Sequence, residues 1–226
     1  MKYENVKKGK FIDRPNRFIA NVEIDGAVEV VHVKNTGRCR ELLIPGVTVY
    51  VQEFKNTSRK TKFDLICVCK GEELYNIDSQ APNKVFCEWV LKSGYFGKVD
   101  LIKPECKYGD SRFDFYIEAE NRRIYAEIKG VTLEEDGVLM FPDAPTERGV
   151  KHIKELCKCV QEGYEACVCF VIQTEKAKYF TPNRSTHPEF ADVLSEAKTK
   201  GVNILCVNCN VKEDFLEIND FVEVKL

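Results

Sequence analysis

The apolar positions of this chain change period near residue 80. Before it they alternate with polar ones, the pattern of strands with one buried face. Phe18, Ala20, Val22 and Ile24 lead to the turn signal Asp25-Gly26, and Val28, Val30 and His32 follow. Residues 34–42 form a loop rich in turn formers and cations, Pro45-Gly46 a second turn, and 47–54 a strand. Residues 56–62 read as a polar, basic hairpin tip and 63–70 as a further strand. Short strands at this spacing predict a small barrel, of which the OB-fold is a common nucleic-acid-binding kind.

Residues 79–83 hold a Pro and one apolar residue, Ala81. This divides the chain into 1–81, a barrel, and 82–226, where the helical period takes over. Helix 84–93 points Val85, Phe86, Trp89, Val90 and Leu91 inward, carries Glu88 and stops at Gly94. A strand of mixed pattern covers 99–107. Thr146 is the expected N-cap of a helix with Val150, Ile153, Leu156, Cys157 and Val160 at helical spacing, closed by Gly163. Residues 166–173 and 202–207 read as buried strands, and 188–200 as a helix with Phe190, Val193, Leu194 and Ala197 inward. Helices alternating with strands predict a layered α/β domain. The fold class is therefore α/β (α+β), with the barrel first.

The chemistry concentrates in residues 108–130, YGDSRFDFYIEAENRRIYAEIKG. Phe113, Phe115 and Ile117 alternate with Arg112, Asp114, Tyr116 and Glu118; Ala126 and Ile128 alternate with Tyr125, Glu127 and Lys129. A tight loop centred between Glu120 and Asn121 places Glu118 opposite Arg123, Tyr116 opposite Tyr125 and Asp114 opposite Glu127. The same register sets Arg112 against Lys129. Directly opposed carboxylates repel, and a hard divalent cation relieves them while taking substrate phosphate oxygens. Asp114, Glu127 and Lys129 thus follow the PD-(D/E)xK nuclease pattern. Mg²⁺ or Mn²⁺ is the expected ion, with Glu88 as an added ligand or neighbouring contact. A solvated strand face with ordinary charges is the alternative reading.

Two further polar groups suit phosphate. Asp143, Thr146, Glu147, Arg148, Lys151 and His152 crowd the start of a helix, where backbone N–H groups favour anions. Thr36, Gly37, Arg38 and Arg40, with Arg59, Lys60 and Lys62, offer a phosphate-tracking patch on the barrel. A capped helix and solvated loops are the competing accounts.

Composition narrows the partners. The formal net charge of −2 means that any nucleic acid must be met by local patches. No apolar run approaches the roughly 18 residues of a membrane helix, and the charged start MKYENVKKGK lacks a signal-peptide core. The expected location is cytoplasmic. The 11 cysteines are odd in number and lie in apolar segments, which suits buried thiols in a reducing compartment. Cys206 and Cys209 form a CxxC without a second one, so a zinc site is not expected.

Several strings are more specific. Pro15, Arg17-Phe18, Asn35-Thr36-Gly37-Arg38, Pro82-Asn83, Ser111-Arg112-Phe113-Asp114-Phe115 and Glu127-Ile128-Lys129-Gly130-Val131-Thr132-Leu133 are followed by Phe141-Pro142-Asp143-Ala144-Pro145-Thr146-Glu147-Arg148-Gly149. With these, nearly the whole chain resembles the sugar fermentation stimulation protein A family. Lys34 stands where a proline often occurs, and Gly130 where serine is common. The resemblance implies an N-terminal OB-fold, a C-terminal nuclease-like domain, and metal-site candidates Glu88, Asp114, Glu127 and Lys129. It also implies DNA binding and a proposed role in regulating sugar, notably maltose, metabolism. A non-catalytic DNA-binding regulator is therefore the alternative to a nuclease.

Overall fold

The computed structural model describes residues 1–35, 37, 39–55 and 59–226. Thr36, Arg38 and the first residues of the expected hairpin tip, 56–58, lie outside the described residues. The first unit contains β1 (Val6–Asn16), β2 (Ile19–Ile24), β3 (Ala27–Val33), β4 (Thr48–Glu53), β5 (Phe63–Lys70) and β6 (Glu73–Asn76). Their spatial order is β3-β2-β1-β4-β5-β6, and β3 also pairs in parallel with β5, from Val31↔Phe63 to Val33↔Leu65. That last pairing closes a barrel of strands β1 to β5, whose edges are thereby satisfied. The β2–β3 loop is the two-residue turn read from the sequence, with Asp25 at φ 53° and Gly26 at φ 81°. Every second residue of β2 fills the barrel, Ala20, Val22 and Ile24 among them.

Strand β5 explains how the two units meet. Its run FDLICV is buried throughout. Leu65 and Val68 pack inside the barrel, whereas Ile66 and Cys67 join the core of the second domain. A strand covered on both sides is apolar on both faces, as Leu65 to Val68 are, while the buried Asp64 in this run is paired with Lys34 and Arg59.

The second domain contains α1 (Ala81–Ser93), β7 (Val99–Tyr108), β8 (Ser111–Ala119), β9 (Arg122–Val131), β10 (Leu133–Glu135), β11 (Val138–Phe141), α2 (Glu147–Gln161), β12 (Glu165–Ile172), β13 (Tyr179–Pro182), α3 (Pro188–Thr199), β14 (Asn203–Lys212) and β15 (Phe215–Phe221). The main sheet runs β15-β14-β12-β9-β8-β7, and a smaller one β10-β11-β13. Within the main sheet β9, β12 and β14 are parallel, with antiparallel strands on both sides. Helix α1 covers one face with Val85, Phe86 and Val90; α2 and α3 cover the other with Ile153, Leu156, Phe190 and Leu194. Leu91, expected inward, is 59% exposed. Strands β6, β10, β11, β13 and β15 were not expected. The eleven cysteines are free thiols, eight of them buried. Among the described residues no helix is long and apolar enough to cross a membrane.

The chain before β1 packs on the second domain. The Met1 ammonium donates to Glu88 Oε2 (2.9 Å) and to the Leu216 carbonyl (2.6 Å), and Tyr3 is buried in the α1-side core. A buried polar network completes the junction. Gln173 Nε2 donates to Asn76 Oδ1 (2.9 Å) and to the Asp78 carbonyl (3.1 Å), Asn76 donates to the Tyr3 hydroxyl (3.0 Å), and Lys34 Nζ reaches Asp78 Oδ2 (2.9 Å).

Candidate active site

The β8–β9 hairpin forms in the expected register over its first half, from Ala119↔Arg122 to Phe115↔Ala126. There the ladder stops. Asp114 does not take its place opposite Glu127; its Oδ2 instead accepts the Ile128 N–H (2.7 Å), and its Oδ1 accepts from Asn83 Nδ2 of α1 (2.8 Å). Beyond this point β9 continues beside β12, with Glu127↔Val168 and Lys129↔Phe170. Strand β8 continues beside β7, with Lys107↔Arg112. Arg112 therefore does not face Lys129, and its guanidinium lies 3.6 Å from Glu105. The fork also breaks the alternation of β8: Phe115 and Ile117 pack under α1, but Phe113 packs on the α2 side.

Glu127 and Lys129 do share a face, and Lys129 Nζ donates to Glu127 Oε1 (2.5 Å). The same oxygen meets His152 Nδ1 of α2 at 2.5 Å. Glu127 is 3% exposed, yet its Oε2 is buried without a hydrogen-bond partner. Burial pushes the Glu127 carboxyl up, but the His152 hydrogen bond and the Lys129 charge outweigh it and leave the group below the usual glutamate range. Asp114 moves the other way, raised by burial and then by the Glu127 charge, against the opposing bonds from Ile128 and Asn83. The Glu127 charge acts on Asp114, so the two carboxyl groups share one electrostatic environment.

These groups fit a divalent ion. A buried carboxylate oxygen without a donor is costly, and a hard cation satisfies it. Asp114 and Glu127 would hold the ion. Glu88 is not part of this set. It lies five residues beyond Asn83, about 140° around α1, and its carboxylate is engaged by the Met1 ammonium. Among the described residues one group of three ligand types closes to within 4.8 Å, at Glu147, His187 and Glu189. His187 Nδ1 accepts the Thr146 N–H (3.2 Å), so the neutral ring carries its proton on Nε2, the atom facing Glu147, and Glu189 is paired with Lys154 (2.8 Å). That group fixes the start of α2.

The remaining expected contacts divide. Thr146 caps α2 as read from the sequence, its hydroxyl accepting the Gly149 N–H (3.1 Å). Arg148 is exposed and its Nε donates to His152 Nε2 (3.4 Å); Lys151 Nζ donates to the Asp110 carbonyl (3.3 Å). Arg148 thus stands one contact from Glu127, and Lys151 at the β7–β8 turn. On the barrel, Arg40 is exposed. Arg59 pairs with Asp64 and stacks 3.9 Å over Phe54, and Lys62 pairs with Glu53 (2.7 Å). The barrel loop comes close to the loop before α2: a Cβ on Gly37 would lie 2.6 Å from Asp143 Oδ2. Between them lies a cleft of about 190 Å³ whose wall includes Asn35, Ser79, Gly130, Thr132, Asp143 and Gln173. It opens one residue beyond Lys129.

Sequence reasoning missed Asn83 and gave His152 only a phosphate role. The signal for His152 was present: it adjoins the inward stripe of Gly149, Ile153 and Leu156, where a polar side chain needs a buried partner.

The comparisons agree with the two-part fold. The description "SfsA N-terminal OB domain" matches residues 12–77, and "Sugar fermentation stimulation protein RE domain" matches residues 80–215. The chain is 61% identical to a sugar fermentation stimulation protein homolog of Desulfitobacterium hafniense strain Y51, over 100% of this chain and 99% of that one. It is 59% identical to the homolog of Clostridium beijerinckii, over 100% of both. It is similar to the solved structure of Pyrococcus furiosus SfsA in complex with Ca²⁺, with 29% identity, a TM-score of 0.91, and coverage of 100% and 98%. The chain belongs to the sugar fermentation stimulation protein family.

Proposed function

We propose that this protein is a divalent-metal-dependent nuclease that binds nucleic acid, DNA before RNA, and hydrolyses phosphodiester bonds at the β8–β9 fork. The observation that carries the reading is Glu127 Oε2, buried and unpartnered on the strand beside Asp114. Asp114 and Glu127 would hold Mg²⁺ or Mn²⁺, and such an ion would supply polarisation of the scissile phosphate and a lowered pKa for a water. Lys129 supplies a positive charge at the same point for the developing negative charge. Helix α1 begins here, with Asn83 in its first turn, and its positive end favours a phosphate; α2 contributes His152 from its second turn. Arg148 and Lys151 grip the neighbouring backbone. The Ca²⁺ held by the P. furiosus relative belongs to the same oxygen-preferring class of ion, which supports a cation site in this chain.

The test is cleavage of single- and double-stranded DNA and RNA with Mg²⁺ or Mn²⁺ by the wild type and by Asp114→Ala. The wild type should cut and the variant should not. Equal inertness of both on every substrate would remove the enzyme. A gel shift with steep salt dependence would then leave a DNA-binding regulator of sugar metabolism.

A further inference from the structure

We infer that His152 is a positioning residue that fixes the rotation of Glu127 so that one carboxylate oxygen is reserved for the cation. The inference rests on the metal-site reading above. Glu127 Oε1 receives two donors, Lys129 Nζ and His152 Nδ1, each at 2.5 Å, while Oε2 receives none. A carboxylate turns easily about its last torsion. Two donors on one oxygen stop that rotation and hold the other oxygen where it is.

The ring of His152 is itself fixed. It is 4% exposed, Phe113 stands edge-on to it with centroids 6.1 Å apart, and Arg148 Nε donates to Nε2 at 3.4 Å. A donor to Nε2 leaves the proton of the neutral ring on Nδ1, so Nδ1–H donates to Glu127. The chain of contacts runs from exposed Arg148 through buried His152 to the carboxylate.

The need for a second donor follows from the other duty of Lys129. In the proposed reaction its ammonium turns toward the substrate phosphate, and Oε1 loses one of its two donors. His152, on a different element, keeps Glu127 in place. Ligating carboxylates and histidines are commonly held in this way by outer partners, whose loss typically weakens metal binding about 10–100-fold.

The experiment measures Mn²⁺ affinity of the full chain by electron paramagnetic resonance, with melting in chelator as the folding control. His152→Phe keeps a ring of similar size without a donor; His152→Asn keeps a short N–H donor. The Phe variant should bind Mn²⁺ about 10–100-fold more weakly, and the Asn variant should recover most of the loss. Wild-type affinity in the Phe variant overturns the inference, as does equal weakening in both variants. If the wild type itself binds no Mn²⁺, the metal site falls first and the role of His152 with it, a result visible without any variant.

Discussion

Asp114→Asn should separate the cost of the site from its use. In the metal-free protein Asp114 carries a charge that burial and Glu127 both oppose, and its carboxyl sits above the usual aspartate range. A raised value means that the folded state holds the proton more tightly than the unfolded chain. The stability it contributes is complete below the unfolded value of about 3.9 and is lost as pH rises through the folded value. Asparagine cannot ionise and has no such loss. Its oxygen still accepts the Ile128 N–H, and the Asn83 amide can turn to offer its oxygen to the new NH₂. In chelator at pH 7.5 the variant should therefore melt at or above the wild type, with the difference shrinking toward pH 4. Added ion reverses the order. At 100 times its Kd a ligand stabilises by about 2.7 kcal/mol, which is about 5–10 °C at 2–4 °C per kcal/mol for a chain of this size. The wild type should show that rise and Asp114→Asn almost none. Asp114→Ala is the control, since it leaves the Ile128 N–H unpaired at about 1–3 kcal/mol. Thermal scans with chelator or Mn²⁺, from pH 4.5 to 8, read all three. The reasoning fails if Asp114→Asn melts well below the wild type in chelator, or if it keeps the full rise on adding ion.

Other consequences are independent of the reaction. A Cβ on Gly130 would lie 2.6 Å from Gln173 Oε1 and 2.9 Å from Pro82 Cγ, and the Gln173 amide is pinned by Asn76 and Asp78. Gly130→Ala should cost about 1–3 kcal/mol in urea unfolding, and less in a Gln173→Ala background; strict additivity would contradict the contact. Of the eleven cysteines only Cys69, Cys87 and Cys106 are partly exposed, while burial pushes the thiols of Cys39 and Cys167 up to about 12. A thiol reagent at pH 8 should label no more than three sites quickly, the other eight following unfolding; a fourth fast site would refute the packing.

What the sequence disclosed and withheld follows from the range of each interaction. The loop at 119–122 sets the hairpin register locally, and the register from Ala119↔Arg122 to Phe115↔Ala126 was legible. The fork was not, because it depends on β9 pairing with β12 and on one side-chain bond to the Ile128 N–H. Glu88 was misread for the same reason, its partner being the chain terminus 87 residues away. Strand β15 was missed because its alternation is short, Leu216 and Ile218 about Glu217, with the polar Asn219 and Asp220 following. The run Leu65-Ile66-Cys67-Val68 of β5 carried a message as well. It belonged to a strand shared by two cores, a property no single-domain pattern expresses.

That shared strand bears on how the site is held. Gln173 follows the end of β12, and β12 is hydrogen-bonded along β9, which carries Glu127 and Lys129. Gln173 also closes the polar network to Asn76 and Asp78 at the end of the barrel. Moving the barrel relative to the fork would break several of these buried bonds, each costing about 1–3 kcal/mol when left unpaired. The cleft between the barrel loop and the start of α2 therefore has a set width, and Asp114, Glu127 and His152 stand in place before any ligand arrives. Preorganisation of this kind is the arrangement by which fixed charges act on a reacting group without reorganising. The strained groups are themselves held: Asp114 by Asn83 and the Ile128 N–H, and Glu127 by Lys129 and His152.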